Sequence, residues 1–177
     1  MQIDTTKQQN SIQAVSEPLT AVDITVFGEP VAMERPRFTG HVYVPPKTKK
    51  HEEKIALVYK AKYGNRIFEK GVPVLVAIDF FFKIPKNDSK AKRAAKIAGE
   101  VRPTKRPDID NVEKTVLDAL LNVAYEDDSQ VVELVSRKLY DVEPRTEIHI
   151  ERIKRGRKLI LRWWSWLTEI IGGRAED

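Results

Sequence analysis

The chain has 177 residues with 31 Lys or Arg against 26 Asp or Glu, and its net charge is +5. This length allows one domain with a real hydrophobic core and flexible ends. Because the chain has no cysteine, it excludes disulfides, thiolate zinc sites and cysteine nucleophiles. No apolar run reaches transmembrane length, and the first twenty residues lack the apolar core of a signal peptide. We therefore expect a cytoplasmic protein.

The N-terminal half contains alternating and helical patterns that are separated by turn residues. Residues 1–20 are polar and without periodicity, which predicts a disordered tail. Alternating apolar and polar residues over 22–27 predict a half-buried strand, and a second short strand follows at 41–44. Pro45-Pro46 can open a helix that runs to residue 63 and stops at Gly64. The hydrophobic run over 74–84 predicts a central strand with both faces largely covered.

The C-terminal half adds two helices and two strands. A short basic helix is predicted over 89–98, capped by Asn87 or Asp88, and a third helix over 111–121 carries apolar residues at helical spacing. Strands are predicted at 130–140 and 145–153. The order β-β-α-β-α-α-β-β predicts a single α+β domain over 21–154, with a mixed or antiparallel sheet covered by helices.

Residues 155–177 differ in character from the domain before them. Trp163, Trp164 and Trp166 occur among aliphatic residues that line one face of a possible helix ending at Gly172-Gly173. This Trp-rich amphipathic extension is expected to pack on the domain or on a second subunit. Binding to a membrane surface is the alternative interpretation.

Positive charge is concentrated in two segments. Nine Lys or Arg residues lie between Lys83 and Arg106, and nine more lie between Arg35 and Arg66, with two acids in each segment. Clusters of this kind favour a polyanion as the partner. A solvated surface without a partner is the alternative for either cluster.

Carboxylates are concentrated in the stretch from Arg106 to Lys138. Asp110 and Glu113 have the spacing of a capping box, which would stabilise the third helix and requires no chemistry. Capping does not account for Asp108. In an extended lead-in, residues two apart point to the same side, so Asp108 and Asp110 can converge on one cation.

The rest of this stretch also allows two interpretations. Lys114 lies one turn past Asp110 and can form an exposed ion pair with Asp118, while Asp127-Asp128 can be turn residues. Together with Asp108 and Asp110, and beside basic segments, these groups predict a metal-dependent nuclease. Oxygen-only ligands favour Mg²⁺, with Mn²⁺ as a possible substitute. The three histidines lie in separate elements without the spacing of metal ligands.

The same residues resemble the signature of a known family. Arg106-Pro107-Asp108-Ile109-Asp110-Asn111, then Lys114, Leu117-Asp118-Ala119-Leu120 and Asp127-Asp128-Ser129-Gln130-Val131-Val132 resemble the RusA family of Holliday junction resolvases, which are mostly of phage and prophage origin. The resemblance covers about residues 22–153. It includes a Gly-Glu-Pro near the start and an Arg-Pro-Arg loop.

The resemblance implies a homodimeric, Mg²⁺-dependent endonuclease of DNA recombination and repair, which nicks two opposed strands of a four-way junction. By motif, the metal-binding acids correspond to Asp108, Asp110 and Asp128, and the essential lysine corresponds to Lys114. Asp127 is a further candidate ligand, because the loop before it varies in length. The basic segments would hold the DNA arms, although no base-reading residue is identifiable.

Two other functions remain open on the sequence alone. One is a DNA-binding protein of the same fold that does not cleave, and the complete set of acids and lysine argues against it. The other is a nuclease that acts on flaps or other branched DNA.

Overall fold

The computed structural model describes residues 18–34, 37–38, 42–43 and 46–154. The Trp-rich extension and all but the last three residues of the predicted tail lie outside these ranges. Residues 18–20 already belong to the fold, because Leu19 is buried in the core and the Thr20 carbonyl accepts a hydrogen bond from the Arg152 amide at 2.9 Å.

The elements follow one another in the predicted order, with one additional two-residue strand. They are β1 (Ala21–Phe27), β2 (Arg37–Phe38), β3 (Val42–Tyr43), α1 (Pro46–Tyr63), β4 (Val74–Lys83), α2 (Lys90–Ile97), α3 (Ile109–Leu120), β5 (Val131–Asp141) and β6 (Arg145–Arg152). A single turn of 3-10 helix, Asp128–Gln130, leads into β5.

The main sheet has four strands in the order β1-β6-β4-β5. Strand β4 pairs parallel with β5 and antiparallel with β6, while β6 pairs antiparallel with β1. Strands β2 and β3 form a separate antiparallel pair. The predicted α+β class with a mixed sheet is confirmed, and β4 is an inner strand as predicted.

Helices α1 and α3 pack against each other and cover one face of the sheet. The core between them is aliphatic and aromatic: Val22, Ile24, Val26, Ile55, Tyr59, Val74, Val76, Ile78, Phe80, Val112, Val116, Leu120, Ile148 and Ile150. On the opposite face, the alternate residues of β4 are only half-buried. Coverage of both faces was therefore overestimated, because the two helices pack on the same side.

The starts of two helices differ from their predictions. The N-cap of α3 is Asp108, whose backbone is extended (φ −71°, ψ 148°), so the predicted cap at Asp110 is wrong and Asp110 lies inside the first turn. The N-cap of α2 is Ser89, whose hydroxyl accepts from the Lys92 amide at 3.3 Å. Asp88 does not cap this helix, because its carboxylate pairs with Lys96 Nζ at 2.6 Å.

One buried and one exposed residue of α1 test how this helix packs against the sheet. Ile55 is 0% exposed and Leu57 is 68% exposed. We expect Ile55→Ala to lower the free energy of unfolding by about 2 to 5 kcal/mol, because it leaves a cavity between α1 and the sheet. Leu57→Ala should change it by less than about 0.5 kcal/mol. Urea unfolding measures both, and equal losses would contradict the described packing.

Candidate active site

The outer face of α3 carries a line of charged side chains. Asp110, Lys114 and Asp118 follow at intervals of four residues and are all exposed, so they lie along one side of the helix. Lys114 Nζ is 3.8 Å from Asp118 Oδ2, and the two side chains are 63% and 42% exposed. Because the opposite face of α3 is buried in the core, this line of charges must face solvent.

Asp108 lies at the head of α3, beside an open groove. Its side chain makes no capping hydrogen bond to the helix, so the carboxylate is not used as a cap. The Met33 amide donates to the Asn111 carbonyl at 2.8 Å and holds the other wall of the groove against α3. The groove has a volume of about 700 Å³ and is lined by Ala32, Met33, Arg106, Pro107, Asp108 and Asn111.

The neighbouring acids Asp127 and Asp128 have different roles. Asp127 caps the 3-10 helix, and its Oδ1 accepts from the Ser129 amide at 2.9 Å. Hydrogen bonds from Ser129 hold the pKa of the Asp127 carboxyl below its usual value. Asp128 is the first residue of the 3-10 helix and is exposed. The structure thus engages Asp127 as a cap, which leaves Asp128 as the better candidate for chemistry.

Gln130 fixes the loop that carries both of these acids. Its side-chain oxygen accepts from the amides of Glu126 at 3.0 Å and Asp127 at 3.1 Å. Its side-chain nitrogen donates to the carbonyls of Glu69 at 2.8 Å and Val72 at 3.1 Å. Every hydrogen-bonding position of this buried amide is thereby used. The apolar pattern predicts only the start of a strand at Gln130, although the spacing from Asp127 fits a capping box.

Tyr125 connects the same loop to α3. Its hydroxyl donates to the Leu117 carbonyl at 3.0 Å. Burial raises the pKa of the Tyr125 phenol, and the negative charges of Asp118 and Asp128 raise it further. Both carboxylates therefore lie near this tyrosine, at the C-terminal part of α3.

Helix α1 adds an acid that was not among the predicted site residues. Partial burial raises the pKa of the Glu52 carboxyl, and the charge of Asp118 raises it further, while Lys49 opposes the shift. Glu52 therefore extends the negative region around Asp118. Glu52 lies among the lysines of α1 in the sequence, and nothing in that pattern predicts that it is close to Asp118.

The predicted acids are divided between the two ends of α3. Lys138 Nζ, on β5, donates to the carbonyls of Lys105 at 2.7 Å and Pro107 at 2.8 Å, and so places Asp108 beside the C-terminal part of that strand. Asp128 immediately precedes β5. Residues 131–138 of an extended strand span about 23 Å. Along α3, Asp108 and Asp118 are about 15 Å apart by helical rise.

Asp108 and Asp110 therefore lie at the start of α3, Asp118 and Asp128 both lie near Tyr125, and the structure does not gather all the predicted ligands. Within the described ranges, no group of three or more His, Cys, Asp or Glu side chains is placed to hold a metal ion. The donor chemistry still fits a hard divalent cation, because the exposed carboxylates supply oxygen ligands alone.

Several lysines of the basic segments are engaged in holding the fold. Lys54 donates to the Phe27 carbonyl, Lys62 donates to the Asp23 carbonyl at 2.7 Å, and Lys96 pairs with Asp88. Among the lysines that remain exposed are those at the start of α1 and on α2: Lys47, Lys49, Lys50, Lys90 and Lys92. These are the better candidates for phosphate contacts. No helix in the described part of the chain is long and apolar enough to cross a membrane.

Parts of this sequence are similar to known proteins. A family model described as Endodeoxyribonuclease RusA matches residues 28–151. The uncharacterized protein YqaN of Bacillus subtilis (strain 168) is 38% identical over 142 residues, which cover 76% of this chain and 99% of that protein. The crossover junction endodeoxyribonuclease rusA of Lactococcus phage r1t is 36% identical over 87 residues, which cover 49% of this chain and 60% of the phage protein.

Gln130 provides a test of how the Asp128 loop is held. We expect Gln130→Leu to lower the free energy of unfolding by about 2 kcal/mol, because the part-buried amides of Glu126 and Asp127 lose their acceptor. The control is Val132→Thr, since the Val132 side chain is close to Gln130 in the sequence and is 57% exposed. This variant should change the free energy of unfolding by less than about 0.5 kcal/mol. Chemical unfolding compares the two variants. A Gln130→Leu protein as stable as the wild type would mean that water replaces the amide.

Proposed function

Because the chain belongs to the RusA family of endodeoxyribonucleases, we propose that it resolves four-way DNA junctions by paired, symmetric nicks in a Mg²⁺-dependent reaction. The observation that carries this proposal is the exposed line of Asp110, Lys114 and Asp118 on α3, headed by Asp108. Packing of α3 places these positions on the solvent side, but it does not require that they carry this combination of acids and a lysine. A surface with this combination of charges is suited to a metal ion and a phosphate.

We assign the metal ligands to Asp108, Asp110 and Asp128. Asp127 is a weaker candidate, because its carboxylate already accepts from the Ser129 amide. When bound, a divalent cation supplies charge neutralisation at the scissile phosphate and lowers the pKa of a coordinated water. The chain's own contribution is to hold the carboxylates on a packed helix and on a loop fixed by Gln130.

Lys114 is assigned to the phosphate. Its ammonium lies on the exposed face of α3, four residues after Asp110, and its one described partner is Asp118 at 3.8 Å. At this distance and exposure the ion pair is weak, so the ammonium can turn toward an incoming phosphate. There it would stabilise the negative charge that grows in the transition state.

The exposed lysines of α1 and α2 are proposed to hold the DNA arms. Phosphate contacts of this kind make binding depend steeply on salt. A homodimer completes the proposal, since a two-fold axis gives two equal sites that match the symmetry of a four-way junction. We propose a cytoplasmic location, which fits a chain without cysteine.

Asp110→Asn tests the catalytic assignment. We expect junction binding without metal to stay near the wild-type value, while nicking with Mg²⁺ falls by on the order of 100-fold or more, since charge interactions at a transition state are worth that much. The assay uses labelled four-way, three-way and linear DNA and maps nicks on every strand. Glu113→Gln is the control, because it makes the same acid-to-amide change in the same helix.

The outcomes of this assay separate the possible functions. Undiminished nicking by the Asp110→Asn protein would show that Asp110 is not a catalytic residue. Wild-type protein that binds the junction without nicking it would indicate a non-cleaving DNA-binding protein. Preferred nicking of three-way DNA, or unpaired nicks on four-way DNA, would indicate a nuclease for other branched substrates.

The neighbours Asp127 and Asp128 form a second, isosteric test. Asp127→Asn keeps an oxygen that can accept from the Ser129 amide, so we expect near wild-type nicking and an unchanged rise in melting temperature on addition of Mg²⁺. Asp128→Asn should lose both. The reverse result would identify Asp127, and not Asp128, as the residue that corresponds to the third metal ligand of the family motif.

A further inference from the structure

An open cavity lies at the end of the sheet where β6 finishes and β4 begins. It has a volume of about 440 Å³, which is within the range of sites that take up an organic group. Its lining includes three buried residues, Leu19, Phe68 and Val72, and the half-buried Ile67. The cavity therefore offers an apolar surface to an occupant.

Two charged residues, Arg152 and Glu69, also line this cavity. Arg152 Nη2 is 3.8 Å from Glu69 Oε2, and the two side chains are 34% and 68% exposed. At this distance and exposure the ion pair is weak, so both groups can make further contacts. A guanidinium attracts the face of an aromatic ring, and a carboxylate accepts a hydrogen bond from an indole N–H. Apolar walls beside these two groups suit a tryptophan side chain, which is apolar with one polar atom.

The C-terminal end of the described domain lies beside this cavity. The Ile153 amide donates to the Pro73 carbonyl at 2.9 Å, which holds the backbone after β6 against the residue before β4. Arg152, in the lining, is two residues before Lys154. Trp163 is nine residues after Lys154, a separation that spans about 13 Å as a helix and about 30 Å as an extended chain. Either length is sufficient to reach the cavity from Lys154.

Only one of the two chain ends beside the cavity carries aromatic residues. All three tryptophans of the protein, Trp163, Trp164 and Trp166, belong to the Trp-rich extension. Residues 1–17 lead into Pro18, which also lines the cavity, but they contain no Phe, Tyr or Trp. The chemistry of the cavity therefore favours the C-terminal end as its occupant.

We propose that the Trp-rich extension folds back on its own domain and places a tryptophan of residues 163–166 in this cavity, against Ile67 and Phe68 and beside Arg152. The occupant is a segment of the same chain, because the connection from Lys154 is short. The family match ends at residue 151, so this contact would be an addition to the domain that the family model describes. It does not depend on the proposed nuclease function.

Tryptophan fluorescence of the full chain tests this contact, because every tryptophan lies in the extension. We expect the emission maximum of the folded protein to lie at a shorter wavelength than that of the urea-unfolded protein, at any protein concentration. Ile67→Glu places a carboxylate among the apolar walls, where an indole would bury it. This variant should shift the maximum toward the unfolded value and increase quenching by acrylamide. The control is Val142→Glu, at a side chain that is 56% exposed beyond the far end of β5, and it should change neither.

A disulfide gives a second readout that leaves the apolar walls unchanged. Because the chain has no cysteine, Asn65→Cys together with Ser165→Cys introduces a single possible pair. Asn65 is an exposed residue of the cavity lining, and Ser165 lies between two of the tryptophans. Under mild oxidation we expect a bond within one chain, which requires the two Cα atoms to come within about 7 Å. Val142→Cys together with Ser165→Cys is the control and should remain reduced.

Several results would overturn the proposal. Emission of the folded protein that matches the unfolded protein, or that Ile67→Glu leaves unchanged, would place the tryptophans outside this cavity. A disulfide between two chains, or an emission maximum that moves on dilution, would assign the extension to a second copy of the chain. A shift to shorter wavelength that occurs only on addition of phosphatidylglycerol vesicles would assign the extension to a membrane surface.

Discussion

The packing of α1 and α3 on a single face of the sheet determines where every functional side chain lies. Val112, Val116 and Leu120 are buried in this contact, and burial of such side chains is the main source of stability in a domain of this size. Their positions fix the rotation of α3 about its axis. Asp110 and Lys114 therefore lie on the solvent side of the helix. The same contact fixes the direction of α3 against β5, and with it the distance between the two groups of acids.

The site is held by side chains that bond to the backbone rather than by contacts among the acids. Lys138 binds two carbonyls before Asp108, and Gln130 binds two amides at Asp127 and two carbonyls of the segment before β4. Asp108, Asp110, Asp118 and Asp128 stay exposed, and the ion pair described among them, Lys114 with Asp118, is long at 3.8 Å. Partial burial raises the pKa of the Glu52 carboxyl, and the negative charge of Asp118 raises it further. A surface of exposed carboxylates favours the binding of a cation.

Local patterns were enough to predict the elements, because apolar spacing reports directly on which side of a helix or strand is buried. Local patterns were not enough to choose between Asp108 and Asp110 as the cap of α3, since both residues are aspartates and aspartate is a good N-cap. The lead-in to Asp108 is held by Lys138, which lies in a different element and so is not part of the local pattern. The contacts of Gln130 with Glu69 and Val72 span about sixty positions, beyond the reach of any local pattern. Spacing in the sequence likewise placed Asp128 near Asp110, whereas an intervening helix carries it away.

The free edge of β1 has a consequence for how copies of this chain can associate. On that edge, the amide of Asp23 donates to the Tyr63 hydroxyl, and its carbonyl accepts from Lys62 and from Tyr63. Lys54 occupies the Phe27 carbonyl in the same way. An open strand edge invites pairing with a strand of another molecule, and α1 occupies hydrogen-bonding groups of this edge at Asp23 and Phe27. Lys54, Lys62 and Tyr63 thereby disfavour extension of the sheet by another chain at these two residues.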